Sequence, residues 1–265
     1  GATIGSIAVR KDWLEELGLD IPKTLEEYYN VLKKFKEAKP DCIPLVVDGS
    51  LYRFIHFMGA FGIYSSGDGN FYIENGKVEY PLLTDKGKEF IKYMNKYYKE
   101  GLLDSEFITD KEAKQKMYAG KGGMMHLNYV EMTRELKAFY ENNPDGVLEY
   151  IDPPVGPNGD QGFLAQPVYS MAWMVPKTSA SKVEDAIEFL DRCQDEDIKN
   201  TINYGWEGKH YKKQDGKIEL LPDFTGTDYR GYYSRVVMDR SWDEVWEVTS
   251  GADVYVAFSN QFKKV

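Results

Sequence analysis

The sequence predicts an α/β chain in which a mixed sheet is flanked by helices. Three observations carry that prediction. Short apolar runs bounded by Pro or Gly alternate with longer segments whose apolar residues recur at helical spacing. The helical segments open on capping residues, and no internal repeat or low-complexity tract interrupts the alternation.

Asp12 is placed to cap a short helix through Trp13, Leu14 and Leu17, stopped at Gly18, and Pro22 blocks its continuation. Thr24 with Glu27 three residues on forms a capping box for a second helix, whose apolar face is Leu25, Tyr28, Tyr29, Leu32 and Phe35. Ile43 to Val47 has the length and composition of a buried strand, and Asp48-Gly49-Ser50 leads into a helix over 51–61. Phe71 to Ile73 and Lys77 to Tyr80 flank Glu74-Asn75-Gly76, a hairpin signal. Thr84 caps a helix to Lys99, with Phe90, Ile91, Met94, Tyr97 and Tyr98 inward and Gly101 at its end. A helix over 110–119 precedes the glycines of Gly120-Lys121-Gly122-Gly123, a buried strand over 124–127 and a helix over 130–142. Leu148 to Ile151 reads as a strand ended by Asp152-Pro153-Pro154, since proline offers no ladder donor, and 156–162 has the composition of an exposed turn. Val168 to Val175 reads as a strand, Ser181 with Glu184 as a capping box for a helix over 182–193, and 195–203 as a further helix. Asp215-Gly216 marks a turn, and Trp242, Val245 and Trp246 share a helical face.

Composition removes several function classes. At 265 residues with 42% hydrophobic content the chain has the supply for a folded core, and no apolar run reaches the length of a membrane span. A net charge of −10 argues against nucleic acid, because phosphate binding needs a basic face. Twenty Tyr, thirteen Phe and five Trp build cores, and such rings also pack on the apolar faces of sugars. Cys42 and Cys193 lie in separate predicted elements and read as buried free thiols. No phosphate loop, nucleophile elbow or zinc-ligand spacing occurs, and Asp68-Gly69-Asn70 and Asn158-Gly159-Asp160 lack the spacing of a calcium loop. Adjacent acidic residues such as Glu26-Glu27 point to different sides of a helix and do not flank a glycosidic bond. The reading is a non-enzymatic protein with no metal and no cofactor.

Four stretches together resemble one family. They are Trp13 to Tyr29 with its Gly-Leu, Pro, Thr and acidic pair; 113–125, AKQKMYAGKGGMM; 186–190, AIEFL, with Asp195-Glu196; and 204–211, YGWEGKHY. In this order, over about residues 9–215, they are similar to the family 1 extracellular solute-binding proteins of carbohydrate ABC importers, in the lipoprotein-type branch. The resemblance implies a periplasmic-binding-protein-like type II lobe, the second lobe of maltose-binding-protein-like receptors. Residues 1–10 would then be a hinge-proximal strand, 11–205 the lobe itself and 206–265 an extension or hinge-return segment. It also implies a chain truncated at both ends, whose signal and lipid-attachment cysteine lie elsewhere, and a monomeric, extracellular, cell-surface lipoprotein. Its partners would be a carbohydrate, bound in an interlobe cleft by hinge closure, and the importer's permease subunits. A fragment of this kind is expected to fold and to bind weakly. The alternatives are a receptor for a non-sugar small ligand and, behind it, a fragment of a carbohydrate-active enzyme or a surface interaction protein with a borrowed fold.

Candidate ligand residues follow from position. Tyr52 matches a loop-to-helix entry that supplies a stacking tyrosine in the resembling receptors, with Arg53 its neighbour in sequence. His126, Asn128 and Tyr129 follow a strand whose end faces the cleft in open α/β sheets, Tyr129 as the stacking aromatic. Tyr169 and Trp173 share one face of the strand predicted over 168–175. Trp206, Glu207 and His210 lie in a glycine-bounded turn that can display an aromatic beside polar groups.

Overall fold

Residues 5–64, 72–74, 76–110, 112–128, 131, 136–162 and 173–224 are described by a computed structural model. The tail helix expected around Trp242 lies outside them. The chain divides into two compact units, Gly1–Val168 with Ala257–Val265 and Tyr169–Val256.

The first unit is organised on β1 (Gly5–Arg10), all six residues of which are buried. It pairs antiparallel with β5 (Gly122–Asn128) and with β6 (Leu148–Ile151), while β2 (Ile43–Val46) runs parallel to β5, giving the order β2-β5-β1-β6. The strand period of two sorts side chains onto two faces. Ile7, Val9, Leu45, Met124 and Ile151 join one core with Tyr28, Leu32 and Phe35 of α2 (Leu25–Ala38), Phe57 and Met58 of α3 (Ile55–Gly59), and Phe90 and Tyr97 of α4 (Asp85–Lys99). Ala8, Val46, Met125 and Leu127 join the other, with Met117 of α5 (Ala113–Tyr118) and Phe139 of α6 (Leu136–Asn142). Helices therefore cover both faces of a mixed sheet. A side chain at Gly123 would run into the Phe35 ring and the Pro44 carbonyl, each under 3.0 Å from an added Cβ, so the α2 helix seats directly on the strand.

Local signals in the first unit hold with small shifts. The Thr24 and Glu27 capping box forms in both directions, and Tyr93 donates to the Leu25 carbonyl at 2.7 Å. A hairpin joins β3 (Tyr72–Glu74) and β4 (Lys77–Glu79). Asp12 is not the cap of α1 (Lys11–Glu16): β1 runs straight into that helix, so Arg10 occupies the cap position and the Asp12 carboxylate instead accepts from the Arg10 Nε at 2.8 Å. The helix expected over 51–61 opens as a 3-10 turn, Leu51–Phe54, before becoming α3. Ile91 and Tyr98 are about half exposed and lie outside the α4 core stripe of Phe90, Met94 and Tyr97.

In the second unit α7 (Val183–Arg192) and α8 (Glu196–Tyr204) lead to a hairpin of β7 (Tyr211–Gln214) and β8 (Lys217–Leu220), which packs on Tyr204. Its turn residues Asp215 and Gly216 both have positive φ, 53° and 75°, the hand that matches strand twist. The capping box expected at Ser181 does not form, because the chain leaving Pro176 winds as a 3-10 segment, Lys177–Lys182, and α7 starts without a side-chain cap. Residues 173–176 are irregular, so the described end of the strand expected over 168–175 is not one. Cys42 is half-buried and Cys193 buried, and both are free thiols. Among the described residues no helix is long and apolar enough to cross a membrane.

Truncating Phe35, which is fully buried edge-on to Trp13, is expected to cost about 3–5 kcal/mol as Phe35→Ala, against about 1 kcal/mol for loss of the cap in Thr24→Ala. Urea unfolding of the two variants checks this, and a larger loss from the cap would contradict the packing described.

Candidate functional site

Because β2 and β5 are parallel, their carboxyl ends open on the same edge of the sheet, the edge at which open α/β sheets bind ligands. The loop after β2 is built from its own polar side chains. Asp48 Oδ1 accepts from the Ser50 amide at 2.9 Å, and Ser50 Oγ accepts from the Tyr52 amide at 3.2 Å, capping the 3-10 turn. The loop after β5 is built reciprocally: the Asn128 amide donates to Glu131 Oε2 at 2.9 Å and the Glu131 amide to Asn128 Oδ1 at 3.0 Å.

Arg53 joins the two loops. Its Nη1 and Nη2 reach Glu131 Oε2 and Oε1 at 2.8 and 2.7 Å in a two-pronged fork, its Nε reaches Asp48 at 2.9 Å, and Nη1 also donates to the His126 carbonyl at 2.8 Å. Arg53 and Glu131 are both buried. Burial opposes the guanidinium charge, but the hydrogen bonds and charges of Glu131 and then Asp48 outweigh it, and its pKa is raised. Removing Glu131 would leave the buried guanidinium with Asp48 and the His126 carbonyl alone, a loss bounded by the ~3–5 kcal/mol of breaking a buried pair outright.

Behind this clamp two histidines face each other. His126 and His56 meet through their Nδ1 atoms at 2.9 Å, so one must donate and the other accept, in opposite tautomers. Burial pulls the His56 pKa down to about 3, partly opposed by a hydrogen bond with the Gly5 backbone. Burial also lowers that of His126, followed by the charges of His56 and Arg53. The pair is held neutral, and His126 Nε2 is buried with no hydrogen-bond partner among the described residues. The Tyr52 ring, half-buried, stands edge-on to His126 at 4.7 Å and 81°.

The second unit holds the other described candidates. His210 is buried and accepts from the Trp206 amide through Nδ1 at 2.8 Å, while its own amide donates to the Trp206 carbonyl at 2.8 Å. This closes a turn on which Trp206 is 60% exposed, its ring 5.8 Å from that of His210, with Glu207 exposed beside it. Trp173 is 55% exposed. Tyr52, Arg53, His126 and Asn128 thus come together in the first unit, and Trp206, Glu207 and His210 in the second. Tyr129 and Tyr169 lie outside the described residues.

Glu131 and Asp48 complete the first cluster without having been singled out as candidates from sequence, together with His56, a sequence neighbour of Tyr52 for which a structural role is the sequence reading. Asn128 and Glu131 have capping-box spacing, which is the signal that finds Glu131. Among the described residues no three His, Cys, Asp or Glu side chains converge to hold a metal. A cavity of about 360 Å³ lined by Leu51, Phe54, Phe90, Met94, Tyr98 and Phe107 is almost wholly apolar and lacks the convergent polar groups a sugar requires.

The neutral histidine pair sets a pH dependence. A histidine whose folded pKa lies below its unfolded value binds fewer protons when folded, so its contribution is full above about pH 6.5 and falls as pH drops towards 3. Between pH 7.5 and 5.5, stability is expected to decline towards a slope of roughly 1.4 kcal/mol per pH unit per histidine. Replacing the pair, as His56→Gln with His126→Gln, flattens that slope in urea titrations; an unchanged slope would contradict the assignment.

Comparison with known proteins agrees with this geometry. Residues 2–199 match the family model of the bacterial extracellular solute-binding proteins. Over 225 residues the chain is 30% identical to the polygalacturonan/rhamnogalacturonan-binding protein YtcQ of Bacillus subtilis, covering 80% of this chain and 44% of that one. The alginate-binding protein AlgQ2 superposes with a TM-score of 0.72 at 21% identity, over 100% of this chain and 57% of that one. The Streptococcus pneumoniae ABC-transporter substrate-binding protein FusA, in complex with kestose, superposes with a TM-score of 0.69 at 19% identity, over 99% and 56%. The chain spans about half the length of the curated relative it matches. By the match over residues 2–199 and the mixed sheet with helices on both faces, the chain belongs to the bacterial extracellular solute-binding protein family.

Proposed function

We propose that this chain is part of the extracellular substrate-binding component of an ABC importer and takes an oligosaccharide without making or breaking a bond. The observation that carries this reading is the pairing of parallel strands β2 and β5, whose adjoining loops support an aromatic ring, Tyr52, on a hydrogen-bonded base. A ring for the sugar face beside a small set of fixed polar groups is the composition of a carbohydrate site. The family match supports the reading, as does the name of YtcQ, a polygalacturonan/rhamnogalacturonan-binding protein.

In this reading Tyr52 of the first unit is the stacking ring, with Asn128 and Tyr129 as further candidate contacts, and the second unit offers its own candidates in Trp206, Tyr169, Trp173 and Glu207. Arg53, His126 and His210 support these rings, since Arg53 is hydrogen-bonded to Asp48, Glu131 and the His126 carbonyl, His126 Nδ1 meets His56, and His210 Nδ1 accepts from the Trp206 amide. The whole receptor closes on its ligand about a hinge, delivers it to permease subunits, acts as a monomer and is tethered outside the cell by a lipid.

Titration with a panel of oligosaccharides, followed by intrinsic fluorescence and by NMR at millimolar ligand, tests this. Tyr52→Ala is expected to weaken the bound glycan about tenfold, the worth of one stacked ring. Response to an amino acid or peptide but to no glycan would remove the carbohydrate reading, and glycan cleavage dependent on one Asp or Glu would replace it with an enzyme.

A further inference from the structure

The charge arrangement around Arg53 narrows the ligand class, on the reading that this is a sugar site. An arginine at the carboxyl edge of a parallel pair is the side chain expected to grip an acidic sugar, because its fork matches a carboxylate. Here the fork is already filled. Four of its five N–H donors are used, two on Glu131, one on Asp48 and one on the His126 carbonyl, and the side chain is 9% exposed. One guanidinium against two carboxylates leaves the cluster one charge negative, and among the described residues no second cation pairs with Asp48 or Glu131. The whole chain, at −10, adds to that field.

We propose that the site under Tyr52 takes uncharged oligosaccharides and disfavours uronates, with Arg53 a positioning residue that locks the loop after β2 to the loop after β5. A uronate carboxylate brought to this edge meets Asp48 and Glu131 and finds the cation occupied. A neutral glycan needs only the ring and hydrogen-bonding groups. The assignment departs from the acidic glycan in the name of YtcQ, and 30% identity leaves room for such a change of specificity.

The test is a pair of selectivity measurements on the full chain by NMR titration at low salt, using 1-kestose, raffinose and maltotriose as neutral trisaccharides and trigalacturonate as the acidic one. The expected result is at least one neutral sugar bound about tenfold or more tightly than trigalacturonate. Glu131→Gln removes a carboxylate and releases part of the Arg53 fork, and should shift the ratio about tenfold towards trigalacturonate. Asp48→Asn, at a more exposed position that spares the Glu131 fork, should shift it the same way by less.

Equal or tighter binding of trigalacturonate by the wild-type chain would overturn the proposal while leaving the sugar reading intact. So would variants that lose affinity for both glycans equally, the mark of structural damage alone. Silence towards all four sugars would remove the sugar reading and this inference with it.

Discussion

Every strand of the main sheet is tied to its place through β1, which has no exposed residue and gives both of its edges to other strands. It holds β5 on one side and β6 on the other, and through β5 it fixes β2. Its alternation places Ile7 and Val9 against the α2 to α4 layer and Ala8 against the α5 and α6 layer. A slip of one residue would send each of these side chains to the wrong face, so the two cores specify the register together. The alignment of the β2 and β5 ends, and with it the approach of Asp48, Arg53 and Glu131, is downstream of that register.

At the carboxyl edge the organising force changes from burial to charge. A guanidinium taken out of water is tolerable only if its partners stand ready, and here they come from two loops joined to different strands. The same burial keeps the histidine pair neutral, which avoids adding further positive charge beside Arg53. The charged groups beside Tyr52, Arg53 with Asp48 and Glu131, are consequently spent on one another. What such an edge can offer a ligand is shape, an aromatic surface and orientation more than free charge.

Much of the fold was legible because its signals are local. Thr24 and Glu27 lie within one turn, and the Asp215-Gly216 turn needs only its own two residues. Identical spacing at Ser181 and Glu184 failed because the backbone arrives there from Pro176 in a 3-10 path, which a spacing rule does not contain. Asp12 misled for a related reason, the absence of any loop between β1 and α1. In the first unit, Tyr52 and Arg53 were singled out through the resembled loop-to-helix entry, His126 and Asn128 through their place at the end of a strand, and the four lie close together. Glu131 was missed, and the partner of His56 could not be read, because their contacts are with residues some seventy positions away in sequence, Arg53 and His126, brought near by a parallel pairing that no pattern in either segment announces. The exposed placement of Trp206 likewise depends on His210 closing the turn beneath it.

The centre of the sheet is also its earliest strand to be made. Gly5 pairs with Asn128 and Ile7 with Ile151, so β1 leaves the ribosome more than a hundred residues before either neighbour exists. At about 5–20 residues per second this is a wait on the order of 10 s before either of its described neighbours, β5 or β6, is available to pair with it. The sheet therefore forms late and by long-range closure, with the entropy of bringing distant segments together met before its contacts are gained.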